Sequence, residues 1–336
     1  MVFSLFALNQ QSIYFKNVDH LASDFSRVFQ ALSRHGYSIV QMWDASEESL
    51  SQLWQRLGRV QLHVRSNDAG VVAVCPKTSP WQSKIDTVQY LGIQTLEHFP
   101  HTDGAYLKGF VEQSGHSQWV APPAYVLLQC VKQSSVGGES IIIDGQAILE
   151  DLLRKAPHIA RVLYEPGCVS FCRDDQLACQ VAIYERLSAG RYRFRFRYDK
   201  ALFVGSEDVR DALYHLYDHY LMNDEYRISL RLEPGQVLIV DNLRMLHGRT
   251  SFDDAVDQER FLRRVWIADD TLPTAPTSFV DNPDPSCRAF TRFEKYVRLE
   301  KSSLEPQPLL NPGIYLPGNL EGILHRPVLE SIPVAC

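Results

Sequence analysis

Residues 237–249 read Val-Leu-Ile-Val-Asp-Asn-Leu-Arg-Met-Leu-His-Gly-Arg, an apolar run followed by a polar pair and, further on, a histidine. The run Val237–Val240 predicts a buried strand, and the turn signal Glu233-Pro234-Gly235 separates it from an earlier run. We expect an all-β core with flanking helices (α+β), built as a double-stranded β-helix (jelly roll), because many such short runs occur with few helices between them. The other runs are Val71–Val74, Tyr125–Val131, Ile141–Ile143, Arg191–Tyr198, Ile228–Leu232 and Phe261–Ile267.

The start of the chain predicts two helices on either side of a strand. The first helix ends at Gly36, and a short strand follows at Tyr37–Gln41. Asp44 is the expected N-cap of the second helix, which ends at Gly58. The apolar residues at helical spacing in the first helix are Leu21, Phe25, Val28, Phe29 and Leu32.

The length of 336 residues fits one large β domain with insertions, and we expect a single domain over residues 1–336. Residues 1–60 form its expected N-terminal α/β cap. Residues 275–336 are rich in proline and predict an irregular C-terminal arm. This arm would pack over the barrel or against a second subunit, which would make the protein a homo-oligomer.

Composition excludes several classes of partner. The net charge of −6 argues against nucleic acid or an anionic membrane, since both require a cationic surface. No apolar run approaches the length of a membrane span, and the apolar N-terminus lacks the basic residues of a signal peptide. Seven cysteines, an odd number, predict reduced thiols and a cytoplasmic location.

A pair of potential metal ligands lies in the sequence His101-Thr102-Asp103-Gly104. On extended backbone, residues two apart point to the same side, so this imidazole and this carboxylate could grip one ion. Glycine at 104 permits a tight turn directly after the pair. With His247 as the third ligand, two histidines and one carboxylate would leave three coordination positions open, as in non-haem iron(II) oxygenases. Alone, the pair is better explained as part of a hydrogen-bonded surface loop.

Two arginines follow His247 on the last predicted strand of the core. Arg260 and Arg264 are four residues apart, so both project from one face of a strand. Buried guanidinium groups require anions, and a dicarboxylate co-substrate supplies one, because a carboxylate accepts two parallel bonds from the guanidinium fork. The alternative is a strand whose arginines extend into solvent.

With these residues the chain resembles the taurine dioxygenase and clavaminate synthase-like superfamily of iron(II)/2-oxoglutarate oxygenases. The resemblance implies that His101, Asp103 and His247 hold iron. It also implies that Arg260 and Ser140 bind 2-oxoglutarate, while Arg264 meets an anionic substrate in some members. The matching elements appear in family order over about 170 residues; they are His101-Thr102-Asp103-Gly104, Pro122-Pro123, Gly137-Gly138-Glu139-Ser140, Asp241-Asn242 with His247-Gly248-Arg249, and Arg260 with Arg264.

The resemblance implies oxidation of a small amino-acid-like or natural-product molecule, with dioxygen as co-substrate and succinate and carbon dioxide as products. Hydroxylation is favoured, and desaturation, epoxidation and ring closure remain open. The family places a substrate lid before the metal pair, which makes Tyr90 and Gln94 candidate substrate contacts. Two alternatives stay open: a metal-binding jelly-roll protein of hydrolase or isomerase type, and a non-catalytic ligand-binding member.

Two other patterns predict ordinary structure rather than a site. Arginine alternates with aromatic residues over Arg191–Tyr198, which superficially resembles a stacking platform for nucleic acid. The period of two instead predicts a strand with an aromatic core face and a basic outer face. His215 and His219 are four apart on a predicted helix and are interpreted as part of a solvated helix face.

Overall fold

A computed structural model of the chain describes residues 12–63, 65–75, 97–107, 109–113, 116–173, 176–187, 192–197, 202–204, 206–253, 259–269, 289–292 and 332–333. Tyr90, Gln94 and most of the C-terminal arm lie outside these residues. None of the described helices combines the length and the apolar character needed to cross a membrane. The α-helices are α1 (Val18–Asp24), α2 (Ser26–His35), α3 (Glu47–Leu57), α4 (Gly145–Lys155), α5 (Pro157–Tyr164) and α6 (Glu207–Leu216).

Short strands make up most of the remaining regular structure. In the first half of the chain they are β1 (Ile13–Tyr14), β2 (Tyr37–Gln41), β3 (Val60–Gln61), β4 (Val71–Val74), β5 (His98–His101), β6 (Gly109–Gln113), β7 (His116–Val120), β8 (Tyr125–Lys132), β9 (Val136–Gly137) and β10 (Ser140–Asp144). In the second half they are β11 (Val169–Arg173), β12 (Gln176–Val181), β13 (Tyr184–Arg186), β14 (Tyr192–Phe194), β15 (Leu202–Val204), β16 (Arg227–Leu230), β17 (Gln236–Asp241), β18 (Met245–Arg249), β19 (Phe252–Asp253), β20 (Phe261–Ile267), β21 (Ala289–Arg292) and β22 (Ile332–Pro333).

The contacts divide the chain into two units, of which the first contains residues 1–103, 123–145 and 221–270. Its larger sheet has the strand order β1-β2-β17-β8-β20-β3, with β4 also paired to β20. A second sheet has the order β16-β10-β18-β5, and its strands pair antiparallel throughout. The unit is therefore rich in β-sheet with flanking helices, as the sequence predicts.

The core of the first unit lies where α1, α2 and α3 cover the larger sheet. Leu50 and Leu53 of α3 are fully buried, and so is Val237 of β17, the first residue of the apolar run that predicted this strand. Burial of these side chains stabilises the sheet by roughly 1.5–3 kcal/mol per large apolar residue. This sheet includes β20, the strand that carries Arg264 and Trp266.

Local details of the first unit differ from the sequence prediction at two helix starts. The predicted first helix is interrupted at Phe25, which closes α1 and precedes α2. Ser46, not Asp44, caps α3, since its side chain accepts the Ser49 amide hydrogen at 3.0 Å. Asp44 instead accepts hydrogen bonds from Ser46, so both residues serve the same helix start.

The second unit contains residues 104–122, 146–220 and 271–336. Strands β6 and β7 form one antiparallel pair, β13 and β14 form another, and a sheet has the order β12-β11-β15-β21-β22. The basic outer face predicted within Arg191–Tyr198 is wrong, because Arg193, Arg195 and Arg197 are buried. Arg195 donates to the carbonyl oxygens of Ala105 at 2.7 Å and Leu107 at 3.1 Å, which compensates part of its burial.

Candidate metal centre

Two histidines predicted as metal ligands lie opposite each other on neighbouring strands. His101 ends β5 and His247 lies in the middle of β18, and these two residues are cross-strand partners in the antiparallel pair. Their ring centroids are 4.6 Å apart, and both side chains are buried. On its other side, β18 pairs with β10, where Ile142 faces His247. The pairing of β5 with β18 therefore joins residues 146 positions apart in sequence.

Asp103 lies in the turn that follows β5, and its side chain is close to both histidines. Its backbone N–H donates to the Asn242 side chain at 2.8 Å, and the Asn242 amide donates back to the Asp103 carbonyl at 3.0 Å. The same amide donates to the Pro123 carbonyl at 2.9 Å. Gly104 has a φ of 69°, a left-handed conformation that glycine adopts at little cost. The predicted glycine turn after the pair is confirmed.

The three side chains form a group with metal-binding geometry. One potential ligand atom from each of His101, Asp103 and His247 lies within 4.8 Å of the other two, and all three residues are buried. The His101 Nδ1 lies 2.9 Å from the Phe99 carbonyl oxygen, which only accepts, so Nδ1 carries the hydrogen. This leaves the lone pair of His101 on Nε2, 3.6 Å from Asp103 Oδ1. The donor set suits a divalent transition metal.

The Asp103 carboxylate is ionised despite its burial. Burial acts to raise its pKa, but the Arg264 guanidinium, with further contributions from the His101 and His247 side chains, outweighs that effect and holds the pKa well below its usual range. Arg264 NH1 donates to both carboxylate oxygens, at 3.3 and 3.1 Å, and Trp266 Nε1 donates to Oδ2 at 2.8 Å. These contacts favour the ionised carboxylate, which is the form that can ligate a metal.

Arg260, the predicted co-substrate arginine, lies in a cradle built from the loop between β8 and β10. It is buried, and its Nε donates to Gln133 Oε1 at 3.2 Å while NH2 donates to the Gly138 carbonyl at 3.4 Å. The guanidinium lies over the Phe252 ring, 5.4 Å from the centroid. Ser140 begins β10 at the end of this loop and is also buried.

Gln133 is itself held in place from several sides. Its Oε1 accepts from the Ser134 backbone at 2.9 Å and from the Ser134 hydroxyl at 3.1 Å, and its Nε2 donates to the Leu232 carbonyl at 3.0 Å. Gly138 is required beside it, because a Cβ there would lie 2.4 Å from Ser134 Oγ and 3.1 Å from Arg260 Nε. The loop therefore fixes the direction of the guanidinium.

Sequence reasoning missed two of these contacts. Trp266 lies two residues after Arg264 on β20, so the period of a strand already placed both on one face. Gln133 had no comparable signal, because its role depends on a partner 127 residues away. His98, considered as a competing ligand, packs on the His101 ring at 4.1 Å between centroids and lies outside the metal-binding group.

Residues 6–266 match the family model described as taurine catabolism dioxygenase TauD, TfdA family. The chain belongs to this dioxygenase family. The match covers His101, His247, Asp103, Arg260 and Arg264, and it confirms the resemblance inferred from the sequence.

Named relatives of the family differ in how much of the chain they share. The chain is 31% identical over 179 residues to a human gamma-butyrobetaine dioxygenase, a match that covers 48% of this chain and 45% of the relative. This chain thus spans about half the length of that relative. It is 22% identical over 306 residues to FR-33289 synthase of Streptomyces rubellomurinus, covering 81% and 82% of the two chains.

Solved structures share the fold. An asparagine oxygenase in complex with Fe(II), 2S,3S-3-hydroxyasparagine and succinate superposes with a TM-score of 0.56 at 16% identity, over 75% of this chain and 81% of that one. The non-heme iron oxygenase OrfP, in complex with Fe, succinate and (3S)-hydroxy-L-Arg, gives a TM-score of 0.55 at 18% identity, over 75% and 83%. The arrangement of sheets and helices is therefore that of solved oxygenases.

Proposed function

We propose that this protein is an iron(II)- and 2-oxoglutarate-dependent dioxygenase that hydroxylates a small amino-acid-like or natural-product molecule. The observation that carries the proposal is the buried group of His101, Asp103 and His247, with ligand atoms within 4.8 Å of one another. Membership of a dioxygenase family supports the proposal that this group binds the metal of a dioxygenase. Desaturation of the same class of substrate uses the same site.

The residues fit iron(II) and would hold it through two imidazole nitrogens and one carboxylate oxygen. That donor set leaves three positions for other ligands. When bound, iron(II) supplies the dioxygen chemistry that couples decarboxylation of 2-oxoglutarate to substrate oxidation. The protein's own contribution is a buried, oriented ligand set, since the Phe99 carbonyl orients His101 and the Asn242 side chain anchors the Asp103 backbone.

The proposed site belongs to a double-stranded β-helix whose two walls are the two sheets of the first unit. One wall would be β2-β17-β8-β20 and the other β16-β10-β18-β5, both antiparallel. Support comes from the ligands, which all lie on the smaller sheet or the turn after it, and from the proposed co-substrate and substrate arginines, which lie on or just before β20.

Arg260 and Ser140 are the proposed 2-oxoglutarate contacts. Arg260 is 3% exposed, and its contacts with Gln133 and Gly138 are to neutral oxygens. A carboxylate would therefore form a stronger, charge-assisted pair with this guanidinium than either neutral partner does. The Ser140 hydroxyl, at the end of the same loop, is a suitable second donor.

Arg264 is proposed to contact an anionic group of the substrate as well as Asp103. Its NH1 donates to Asp103, whereas its Nε is buried and has no hydrogen-bond partner among the described residues. A buried N–H without a partner is costly, and an anionic substrate group would satisfy it. Tyr90 and Gln94 remain proposed substrate contacts outside the described residues.

We further propose a cytoplasmic protein that acts on a small molecule, without nucleic acid or membrane partners. The net charge of −6 supports this, because it disfavours polyanionic surfaces. Self-association through residues 275–336 is part of the same proposal. Sedimentation of the full chain against a variant lacking that segment tests it.

Anaerobic titration with iron(II) and 2-oxoglutarate tests the proposed activity. We expect a weak visible charge-transfer band that requires both components, and succinate formation once oxygen is admitted. Asp103→Ala, which removes the only carboxylate of the triad, should abolish the band and substrate hydroxylation. Absence of the band in the unmodified protein, or full hydroxylation by Asp103→Ala, would overturn the proposal.

A further inference from the structure

Two side chains on one face of β20, Arg264 and Trp266, donate hydrogen bonds to the Asp103 carboxylate. Arg264 NH1 lies 3.3 Å from Oδ1 and 3.1 Å from Oδ2, so it does not distinguish the two oxygens. Trp266 Nε1 donates to Oδ2 at 2.8 Å. The indole carries one N–H and so satisfies one oxygen. The imidazoles also divide between the oxygens, since His101 Nε2 lies 3.6 Å from Oδ1 and His247 Nε2 lies 3.8 Å from Oδ2. Of the two donors on β20, Trp266 is the one that contacts a single carboxylate oxygen.

Packing fixes the orientation of the Trp266 side chain, and with it the direction of the indole N–H. Its side chain is 3% exposed, and its ring meets the His63 ring edge-to-face at 4.6 Å and 90°. The Arg264 guanidinium lies over the Trp266 ring, 5.1 Å from its centroid. On the backbone, Trp266 is paired with Val126 of β8 and with Gln61 of β3. A side chain packed from its strand and from both ring contacts has little rotational freedom.

We propose that Trp266 is a positioning residue that holds Asp103 Oδ2 and leaves Oδ1 as the single oxygen that ligates the metal. The inference rests on the proposed function of the metal site. A carboxylate bound through both oxygens would occupy a further coordination position, which the keto acid and dioxygen need. By holding Oδ2 in a hydrogen bond, the indole N–H would keep three coordination positions of the metal open beside His101, His247 and Asp103.

Trp266→Phe tests the proposal, because it keeps an aromatic ring and removes the N–H. Cobalt(II) binding is measured in the full-length protein by competition with a fluorescent chelator, with no turnover involved. We expect cobalt(II) affinity to fall roughly 10- to 100-fold, the usual effect of losing a contact to a metal ligand. We also expect the visible absorption spectrum of bound cobalt(II) to change, because the carboxylate is free to bind through both oxygens.

Trp54→Phe is the matched control. Trp54 is 7% exposed and lies in α3, within the apolar core of the first unit, so its truncation perturbs packing without touching Asp103. Its cobalt(II) affinity and spectrum should equal those of the unmodified protein. If Trp266→Phe matches Trp54→Phe in both measurements, the positioning role is refuted. If the unmodified protein binds no cobalt(II), the proposed function fails instead.

A second variant keeps the test decisive if Trp266→Phe does not fold. Replacement of Trp266 by benzothienylalanine retains the bicyclic shape and exchanges the N–H for sulfur. The folded protein should show the same loss of cobalt(II) affinity and the same spectral change. Unchanged binding by this variant would overturn the proposal, since only the hydrogen bond to Asp103 Oδ2 differs.

Discussion

Replacing Gln133 by glutamate places a negative charge beside the proposed co-substrate arginine with almost no change of shape. Gln133 Oε1 accepts from Arg260 Nε at 3.2 Å, and a carboxylate there forms an ion pair with the guanidinium. The Ser134 donors still reach the same oxygen, so the side chain should keep its position. The guanidinium would then be neutralised before 2-oxoglutarate arrives.

The expected effect on 2-oxoglutarate affinity is large. A co-substrate carboxylate on another edge of the guanidinium would lie roughly 6 Å from the new charge, and at an effective dielectric constant of about 20 the repulsion is about 3 kcal/mol. That corresponds to a dissociation constant raised about 100-fold. The Leu232 carbonyl also loses the Gln133 amide that donates to it at 3.0 Å, which costs about 1–3 kcal/mol of folding stability.

The assay is anaerobic titration of the iron(II)-loaded protein with 2-oxoglutarate, accompanied by thermal unfolding. Gln129→Glu is the matched control, because Gln129 of β8 accepts from NH1 of Arg263 of β20 at 3.1 Å, and Gln133 and Arg260 lie just outside the same two strands. That control introduces an equal charge beside a different arginine and should leave 2-oxoglutarate affinity nearly unchanged. Equal affinities in Gln133→Glu and Gln129→Glu would refute the assignment of Arg260 as the co-substrate anchor.

Three further changes have defined outcomes. Gly138→Ala forces a side chain onto a φ of 75° and within 2.4 Å of Ser134 Oγ, so it should cost at least about 1–2 kcal/mol in urea unfolding; an unchanged midpoint would contradict the backbone geometry. Asn242→Leu leaves several buried backbone groups without partners, at about 1–3 kcal/mol each, and a loss below about 1 kcal/mol by the same method would count against those hydrogen bonds. The Thr250 hydroxyl donates to the Glu139 carboxylate at 2.5 Å. This hydrogen bond is the largest cause of a Glu139 pKa below the usual 4.5. Because the pKa is depressed in the folded protein, this stabilisation is present above pH 4.5 and is lost as the pH falls through the folded value. The loss of unfolding free energy caused by Thr250→Val should therefore shrink on acidification. A loss that does not depend on pH would exclude the linkage.

The sequence predicts correctly those strands and turns that depend on residues close together in the chain. The strand at Tyr37–Gln41 is present as β2 with the expected bounds, because its apolar residues follow a glycine that closes a helix. The tight turn after Asp103 is present because Gly104 adopts a positive φ. In both cases the deciding interactions lie within a few residues, where backbone conformation follows from side-chain type.

The arginines of Arg191–Tyr198 show where such reasoning ends. Their period of two predicted a solvated basic face, yet Arg193, Arg195 and Arg197 are buried, and Arg195 satisfies carbonyl groups about 90 residues earlier in the chain. Among residues 192–197, the part of this segment that the structure describes, regular strand structure covers Tyr192–Phe194. Alternation shows that two faces differ, but not which partners a distant segment presents to each face.

The sequence by itself determined the β-rich fold class, the identity of the candidate ligands His101, Asp103 and His247, and the membership of an oxygenase superfamily. The tertiary structure alone decided that the two histidines are cross-strand partners and that Arg264 and Trp266 share the Asp103 carboxylate. The physical reason is that residue type carries the chemistry of a donor, whereas strand pairing over more than a hundred residues sets which donor meets which acceptor.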